Sequence, residues 1–303
     1  MRRITAWVLP ILLFVPAAHA CINSVGTDHR GHQFMPSFYT GEILLQSLTS
    51  HESKDYSIKR TDQIIASARQ EPSFGSLTDL AINVIYHGRY DEAIRLLLAL
   101  EKRYPGHHET AANLGTALEL SGRDRLALRW IRIGIQRNAG EHYGTEWLHA
   151  RILEAKLESA RDPHYLDTHS VAGLRFDSTL IPSVPKDMPD GNDGKPAEPW
   201  KVNQALNYQL HERLEFVKAP DPIVANLLLD WATLNLAGGS VESADVLYDL
   251  AIKYGAARTP LIAARKKEIA TILAKAGSKA KSKAEEPENL VCPICVPHIA
   301  SEI

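Results

Sequence analysis

Two cysteines near the end of the chain have the spacing with the clearest chemical meaning. Cys292 and Cys295 are separated by Pro293 and Ile294. In an oxidising compartment such a C-x-x-C pair can close a small disulfide ring. A zinc site would need two further ligands, and only His298 is near. We therefore predict a Cys292–Cys295 disulfide, and a thiol-redox or metal-handling role of this pair is the alternative.

Three His-Glu pairs begin the zinc-protease pattern H-E-x-x-H, in which two histidines four residues apart bind the metal. In each case another residue stands where the second histidine is needed. The pairs and those residues are His51-Glu52 with Asp55, His108-Glu109 with Ala112, and His211-Glu212 with Glu215. The sequence also has no nucleophile elbow, phosphate-binding glycine loop or dinucleotide fingerprint. We therefore predict a protein that is not an enzyme and has no catalytic residues, cofactor or metal site.

The N-terminus has the three parts of a secretory signal peptide. Arg2 and Arg3 precede an apolar run over residues 4–15, and residues 18–20 match an A-x-A cleavage site. The apolar run is too short for a membrane-spanning helix. We predict cleavage after residue 20 and export to the cell envelope, either the periplasm or the outer membrane.

Cys21 follows the predicted cleavage site directly, in the position of the acylated cysteine of bacterial lipoproteins. The preceding His19 departs from that family's pattern, which has a small residue there. Two alternatives therefore remain, a lipid anchor on Cys21 and an exported protein without one. Since no later stretch is long and apolar enough to span a bilayer, membrane contact is predicted only through this lipid.

Two adjacent stretches of 34 residues, 74–107 and 108–141, are versions of one unit. Each predicts two short amphipathic helices around a Gly-Arg turn. One such hairpin cannot bury its own apolar face, so the units should stack. The residues that the two units share are Leu80/Leu114, Gly88/Gly122, Arg89/Arg123, Ala93/Ala127, Arg95/Arg129, Arg103/Arg137 and Gly106/Gly140.

These units resemble the tetratricopeptide repeat (TPR) family. The residues that match its pattern are Leu80, Ala81, Val84, Gly88, Tyr90, Ala93, Leu97 and Pro105 in the first unit, and Leu114, Gly115, Leu118, Gly122, Ala127 and Ile131 in the second. The resemblance implies an all-α, TPR-like solenoid of helical hairpins and a protein–protein interaction scaffold. His107, His108, His142 and His149 lie near the predicted hairpin turns, where solvent-exposed histidines are common in such proteins.

The rest of the chain is assigned around these units. We predict an irregular or hairpin-like lead-in (21–53) with a short helix over 41–48, and a TPR-like repeat domain (54–160). A Pro/Gly-rich loop (161–200), a second helical repeat segment (201–276) and a flexible tail (277–303) follow. Within the repeat domain, one helix is expected at 54–70 and a capping helix at 145–160. The loop is either a linker or a functional lid.

In the TPR family the first helix of each hairpin lines a concave surface that binds a peptide. By resemblance, the groove residues here are Thr78, Ile82, Tyr86, Thr116, Glu119, Leu120, Glu146 and Glu154. Apolar side chains among carboxylates suit a peptide with Lys or Arg beside apolar residues. The alternative is that the N-terminal helix or the long loop covers this surface. A formal net charge of −2 disfavours nucleic acid, so the predicted partner is another protein or a peptide.

Overall fold

The structure, a computed structural model, describes residues 25–279 and 292–297. The predicted signal peptide, Cys21 and most of the predicted tail lie outside these residues. The described part is predominantly helical, with one short two-stranded ladder. This confirms the all-α prediction.

The predicted lead-in contains regular structure. Strands β1 (Gly26–Thr27) and β2 (Gln33–Phe34) pair antiparallel, with Gly26 opposite Phe34. Helix α1 (Gly41–Thr49) follows and buries Leu44 and Leu48 in the larger of two hydrophobic cores. The strand pair fits the hairpin-like form of the predicted lead-in, and α1 fits its predicted short helix.

The single helix predicted at 54–70 is two helices in the structure, α2 (Glu52–Lys59) and α3 (Thr61–Gln70). Arg60 separates them with φ −101° and ψ 9°, and its N–H donates to Ser57 O at 3.2 Å, as in a tight turn. Helix α2 buries none of its residues. Hydrogen bonds hold the pair in place, because Asn83 Nδ2 donates to Ser57 O at 2.8 Å.

Two helical hairpins with matching bounds follow, in agreement with the period of the sequence. They consist of α4 (Phe74–Tyr86) and α5 (Tyr90–Arg103), then α6 (His108–Leu120) and α7 (Asp124–Arg137). At the two turns Gly88 and Gly122 have φ of +73° and +78°, which glycine adopts without steric cost. Gly115 on α6 packs tightly, since a Cβ there would lie 2.4 Å from Ile131 Cδ1 on α7. The small residue of the repeat thus permits close helix packing.

After the hairpins, the short α8 (Glu141–Gly144) leads into α9 (Glu146–Ser159), which packs on α7 as the predicted capping helix would. The following loop contains the one-turn α10 (Tyr165–Thr168). The loop also buries Val171 and Ala172, and its Ser170 Oγ donates to Asp230 Oδ2 at 2.6 Å. The loop is packed onto the protein and is not an extended linker.

The C-terminal helices form the larger core. They are α11 (Pro199–Leu214), α12 (Pro222–Gly238), α13 (Val241–Lys253) and α14 (Pro260–Lys279). Trp231 and Tyr248 are fully buried there. Helix α11 joins the two cores, because Leu206 packs in the larger core while Phe216, just after α11, packs against the hairpin core. Residues 292–297, which we name the tail loop, also pack on this half, although a flexible tail was predicted.

Candidate functional site

The predicted groove surface is partly covered by the chain's own helix α11. Thr116, Glu119, Leu120 and Glu146 line a cavity whose other wall includes Arg213 and Phe216. The sequence predicted an open groove here, or a cover from the N-terminal helix or the long loop. The covering element is instead the first helix after that loop.

The other four predicted groove residues do not line this cavity. Thr78 is buried, and its hydroxyl donates within α4 to Phe74 O at 2.8 Å. Ile82 is half-buried on the same helix. The rings of Tyr86 and Phe216 stack with centroids 5.4 Å apart. Glu154 accepts from Arg132 at the surface at 2.7 Å.

Four buried ionisable side chains meet where α11 docks, and we name them the charge cluster: Glu119, Glu146, His149 and Arg213. Their side chains are 3–9% exposed. Arg213 donates to both oxygens of Glu119, at 2.7 and 3.2 Å. His149 Nε2 lies 2.7 Å from Glu119 Oε2, and His149 Nδ1 lies 3.5 Å from Glu146 Oε2. A planar guanidinium against a carboxylate is the strongest pairing available to such charges.

The cluster shifts the pKa values of its members. Burial by itself would lower the pKa of His149, but hydrogen bonds with Glu119 and Glu146 outweigh it and raise the pKa to about 9. Burial would raise the pKa of Glu146, but hydrogen bonds with His142 and His149 lower it to about 2. Burial would raise the pKa of Glu119, but the charges and hydrogen bonds of Arg213 and His149 together hold it well below its usual value. At neutral pH His149 is therefore positively charged. Its predicted position at an exposed turn is wrong.

The cavity beside the charge cluster has a volume of about 50 Å³. This holds a few water molecules, whereas sites for small-molecule substrates measure about 300–1,000 Å³. Through the Arg213–Glu119 pair, the cluster joins α11 to α6.

The turn before α9, which borders this cavity at His142, has two residues in the left-handed conformation. His142 and Tyr143 have φ of +48° and +59°, a conformation that costs energy in residues other than glycine. Both rings pack on Tyr208 of α11, with the His142 ring stacked at 5.0 Å between centroids. His142 Nδ1 also lies 2.7 Å from Glu146 Oε1. These contacts hold the turn against α11.

A larger opening, which we name the acidic cleft, lies on the other side of α11 and measures about 550 Å³. It is bounded by α1, the start of α2 and the C-terminal end of α11. Among the described residues that line it there is no Lys or Arg. The lining residues used below are Tyr39, Ile43, Glu52, Glu212 and Glu215. Tyr39 and Ile43 are 58% and 39% exposed, so the cleft offers apolar side chains beside three carboxylates.

Glu215 is the most unusual residue of the acidic cleft. Its side chain is only 10% exposed, and its Oε2 atom has no hydrogen-bond partner among the described residues. Among the described residues, the ion-pair partner of Oε2 is the His51 ring, whose Nδ1 lies 3.6 Å away. A buried carboxylate oxygen without a donor is costly, and an incoming donor would relieve that cost.

Neither a protein-family model nor a curated protein matches this sequence. Within residues 25–279 and 292–297, no helix is long and apolar enough to cross a membrane. The same residues contain no group of three or more His, Cys, Asp or Glu side chains that could hold a metal ion.

Sequence reasoning selected Glu119 and Glu146 but missed their partners. Arg213 lies on the apolar side of a helical pattern, between Leu210 and Leu214, and a charge there is a signal of a buried pair. In the sequence, Glu215 stands out only as the residue in place of the second histidine of a zinc-protease pattern. Its position in the acidic cleft depends on α1, which is remote in sequence.

Proposed function

We propose that this protein is an exported, non-catalytic interaction scaffold of the TPR type. Its partner protein would bind in the acidic cleft through a segment that carries Arg or Lys beside an apolar side chain. The equal spacing of the two hairpins supports the TPR assignment. The signal-like N-terminus supports export.

The observation that carries the binding proposal is Glu215 Oε2, a carboxylate oxygen that no donor in the described part of the chain meets. Rotation of the Glu215 side chain would bring Oε2 into the cleft, where an entering guanidinium or ammonium group would donate to it, with Glu52 and Glu212 nearby. The exposed rings and chains of Tyr39 and Ile43 would take the adjacent apolar side chain. The chain itself provides a precedent, since Arg213 pairs with Glu119 and the nearby Phe216 stacks on Tyr86.

Binding can be tested with a capped hexapeptide that carries Arg between Leu and Phe. A peptide with citrulline in place of Arg keeps the shape and removes the charge. We expect Glu215→Gln to weaken binding of the Arg peptide by about tenfold or more, because a hydrogen bond between charged groups contributes about 1.5–3 kcal/mol. Tyr39→Ala should weaken the binding of both the Arg peptide and the citrulline peptide. Isothermal titration calorimetry measures each Kd.

Glu42→Gln is the matched control, since Glu42 is an exposed carboxylate on α1 that does not line the cleft. It should leave both Kd values unchanged. Equal binding of the Arg and citrulline peptides by the wild-type protein would exclude the acidic cleft as a site for cations. So would wild-type affinity in the Glu215→Gln variant.

Export is tested by mass spectrometry of the mature N-terminus from expressing bacterial cells. We expect a chain that begins at Cys21, because the A-x-A site ends at Ala20. An added lipid mass would support the anchored form, and an unmodified Cys21 the soluble exported form. A chain that retains Met1 would contradict the export proposal.

A further inference from the structure

The tail loop is closed by a disulfide and inserts one side chain into the protein. Cys292 and Cys295 are bonded, and Cys295 N–H donates to Cys292 O at 3.0 Å. Ile294, between them, is 0% exposed and belongs to the larger core. Val296, by contrast, is 44% exposed. Within the ring, Ile294 is therefore the side chain that is fully buried.

The pocket that receives Ile294 is shaped for it. A Cβ on Gly239, at the end of α12, would lie 2.5 Å from Ile294 Cδ1, so no larger residue fits there without displacing the loop. Asn203 Nδ2 donates to Ile294 O at 3.1 Å, and Asn203 Oδ1 accepts from Trp231 Nε1 at 2.7 Å. The tail loop is thus tied to α11 and α12 through one buried asparagine.

Further contacts depend on the closed ring. A Cβ on Gly238 would lie 3.4 Å from Pro293 Cγ, so the ring packs directly on the backbone of α12. Cys292 Sγ lies 3.5 Å from Gly238 O, and Val296 N–H donates to Ser37 Oγ at 3.3 Å. With the disulfide broken, the tail loop would have many more conformations when it is released. These contacts would then have to offset a larger loss of conformational entropy to keep the loop in place.

We propose that the tail loop is a redox-controlled plug. With the disulfide closed, Ile294 fills its pocket at the end of α12. A dithiol reductant opens the ring, releases Ile294 and exposes an apolar pocket bounded by Gly238, Gly239 and Asn203. Exposure of this pocket would then depend on whether the surroundings keep the Cys292–Cys295 pair oxidised or reduced. It is independent of binding in the acidic cleft.

The reaction is a thiol–disulfide exchange. One thiolate of the dithiol attacks one sulfur of the Cys292–Cys295 bond and forms a mixed disulfide, and the other cysteine leaves as a thiolate and takes a proton. The second thiol of the reductant then closes its own disulfide and frees the remaining cysteine. Two electrons and two protons pass to the protein, and the dithiol is oxidised.

The test is hydrogen exchange of the full-length chain with Cys21→Ser, so that Cys292 and Cys295 are its only cysteines. Exchange is followed by mass spectrometry in peptides covering 292–297 and 234–240, before and after dithiothreitol. We expect exchange in both peptides to rise by about tenfold or more on reduction, since a local opening cost lower by about 1.4 kcal/mol gives that factor. A reference peptide covering 114–120 should not change.

Three variants separate ring opening from loss of the plug. Cys292→Ser with Cys295→Ser should exchange fast without reductant. Ile294→Ala keeps the disulfide but should show the same fast exchange at 234–240, because the pocket is left unfilled. Val296→Ala is the control and should behave as the parent. Unchanged exchange in the reduced protein, with both thiols shown to be free by alkylation, would overturn the proposal.

Discussion

Replacement of Arg213 by Met should lower the free energy of unfolding by about 3 kcal/mol. Removing one partner of a buried ion pair costs about 3–5 kcal/mol, because the other charge stays buried without compensation. Here Glu119 would lose two hydrogen bonds from Arg213 but would keep His149 at 2.7 Å and Lys156 Nζ at 3.2 Å. The expected loss therefore lies at the lower end of that range. Urea denaturation at pH 7 measures it.

Arg132→Met is the matched control, because Arg132 also pairs with a glutamate on a neighbouring helix, at 2.7 Å, but both side chains are about half exposed. Its effect should stay below about 1 kcal/mol, as for other surface pairs. The double variant Arg213→Met with Glu119→Gln should cost less than the two single variants added together. Effects that add within about 0.5 kcal/mol would show that the two residues are not coupled.

The stability of the protein should fall between pH 6.5 and pH 9 through deprotonation of His149. The raised pKa of about 9 means that its charged form is favoured in the folded state. Its contribution is then complete below the unfolded pKa of about 6.5 and is lost as the pH rises through about 9. A shift of this size corresponds to about 3 kcal/mol. Denaturation curves at several pH values measure the slope.

The charged groups that face His149 decide this behaviour. Glu119 on α6 and Glu146 on α9 raise its pKa, while Arg213 and Glu212 of α11 and His142 line the same cavity. His149→Gln should remove most of the slope between pH 6.5 and pH 9. His164→Gln should not, because His164 pairs with Asp167 at a surface where its side chain is 85% exposed. A wild-type slope in the His149→Gln variant would contradict the assignment.

Much of the hairpin region could be predicted from the sequence, because local patterns specify it. The 34-residue period fits the matched bounds of α4–α5 and α6–α7, and Gly88 and Gly122 lie at left-handed turns. A period is a property of neighbouring residues, so it can be recognised without knowledge of distant contacts. The division of 54–70 at Arg60 was missed, since no Pro or Gly stands there to end a helix.

The candidate sites depend on contacts between residues that are far apart in sequence. Glu119 and Arg213 are separated by 94 positions, and Asn203 and Ile294 by 91. Glu119 could be assigned to the concave surface by its place in the repeat. Its place in the repeat does not determine what lies opposite Glu119. Solvent, a separate peptide or the chain's own α11 could lie there, depending on which distant segment packs at this surface.

The sequence by itself determined the helical class, the paired hairpins and their turns, because helix periodicity and glycine conformation act over a few residues. Only the tertiary structure decided that α11 packs against the predicted groove surface and that Ile294 is buried at the end of α12. It also decided that Glu215 Oε2 meets no hydrogen-bond donor within residues 25–279 and 292–297. The physical reason is that removal of apolar surface from water stabilises the fold, whereas a charge can be buried only when it is paired. Segments before and after the long loop could pack on the same apolar faces. Which segment does so depends on the packing of the whole chain.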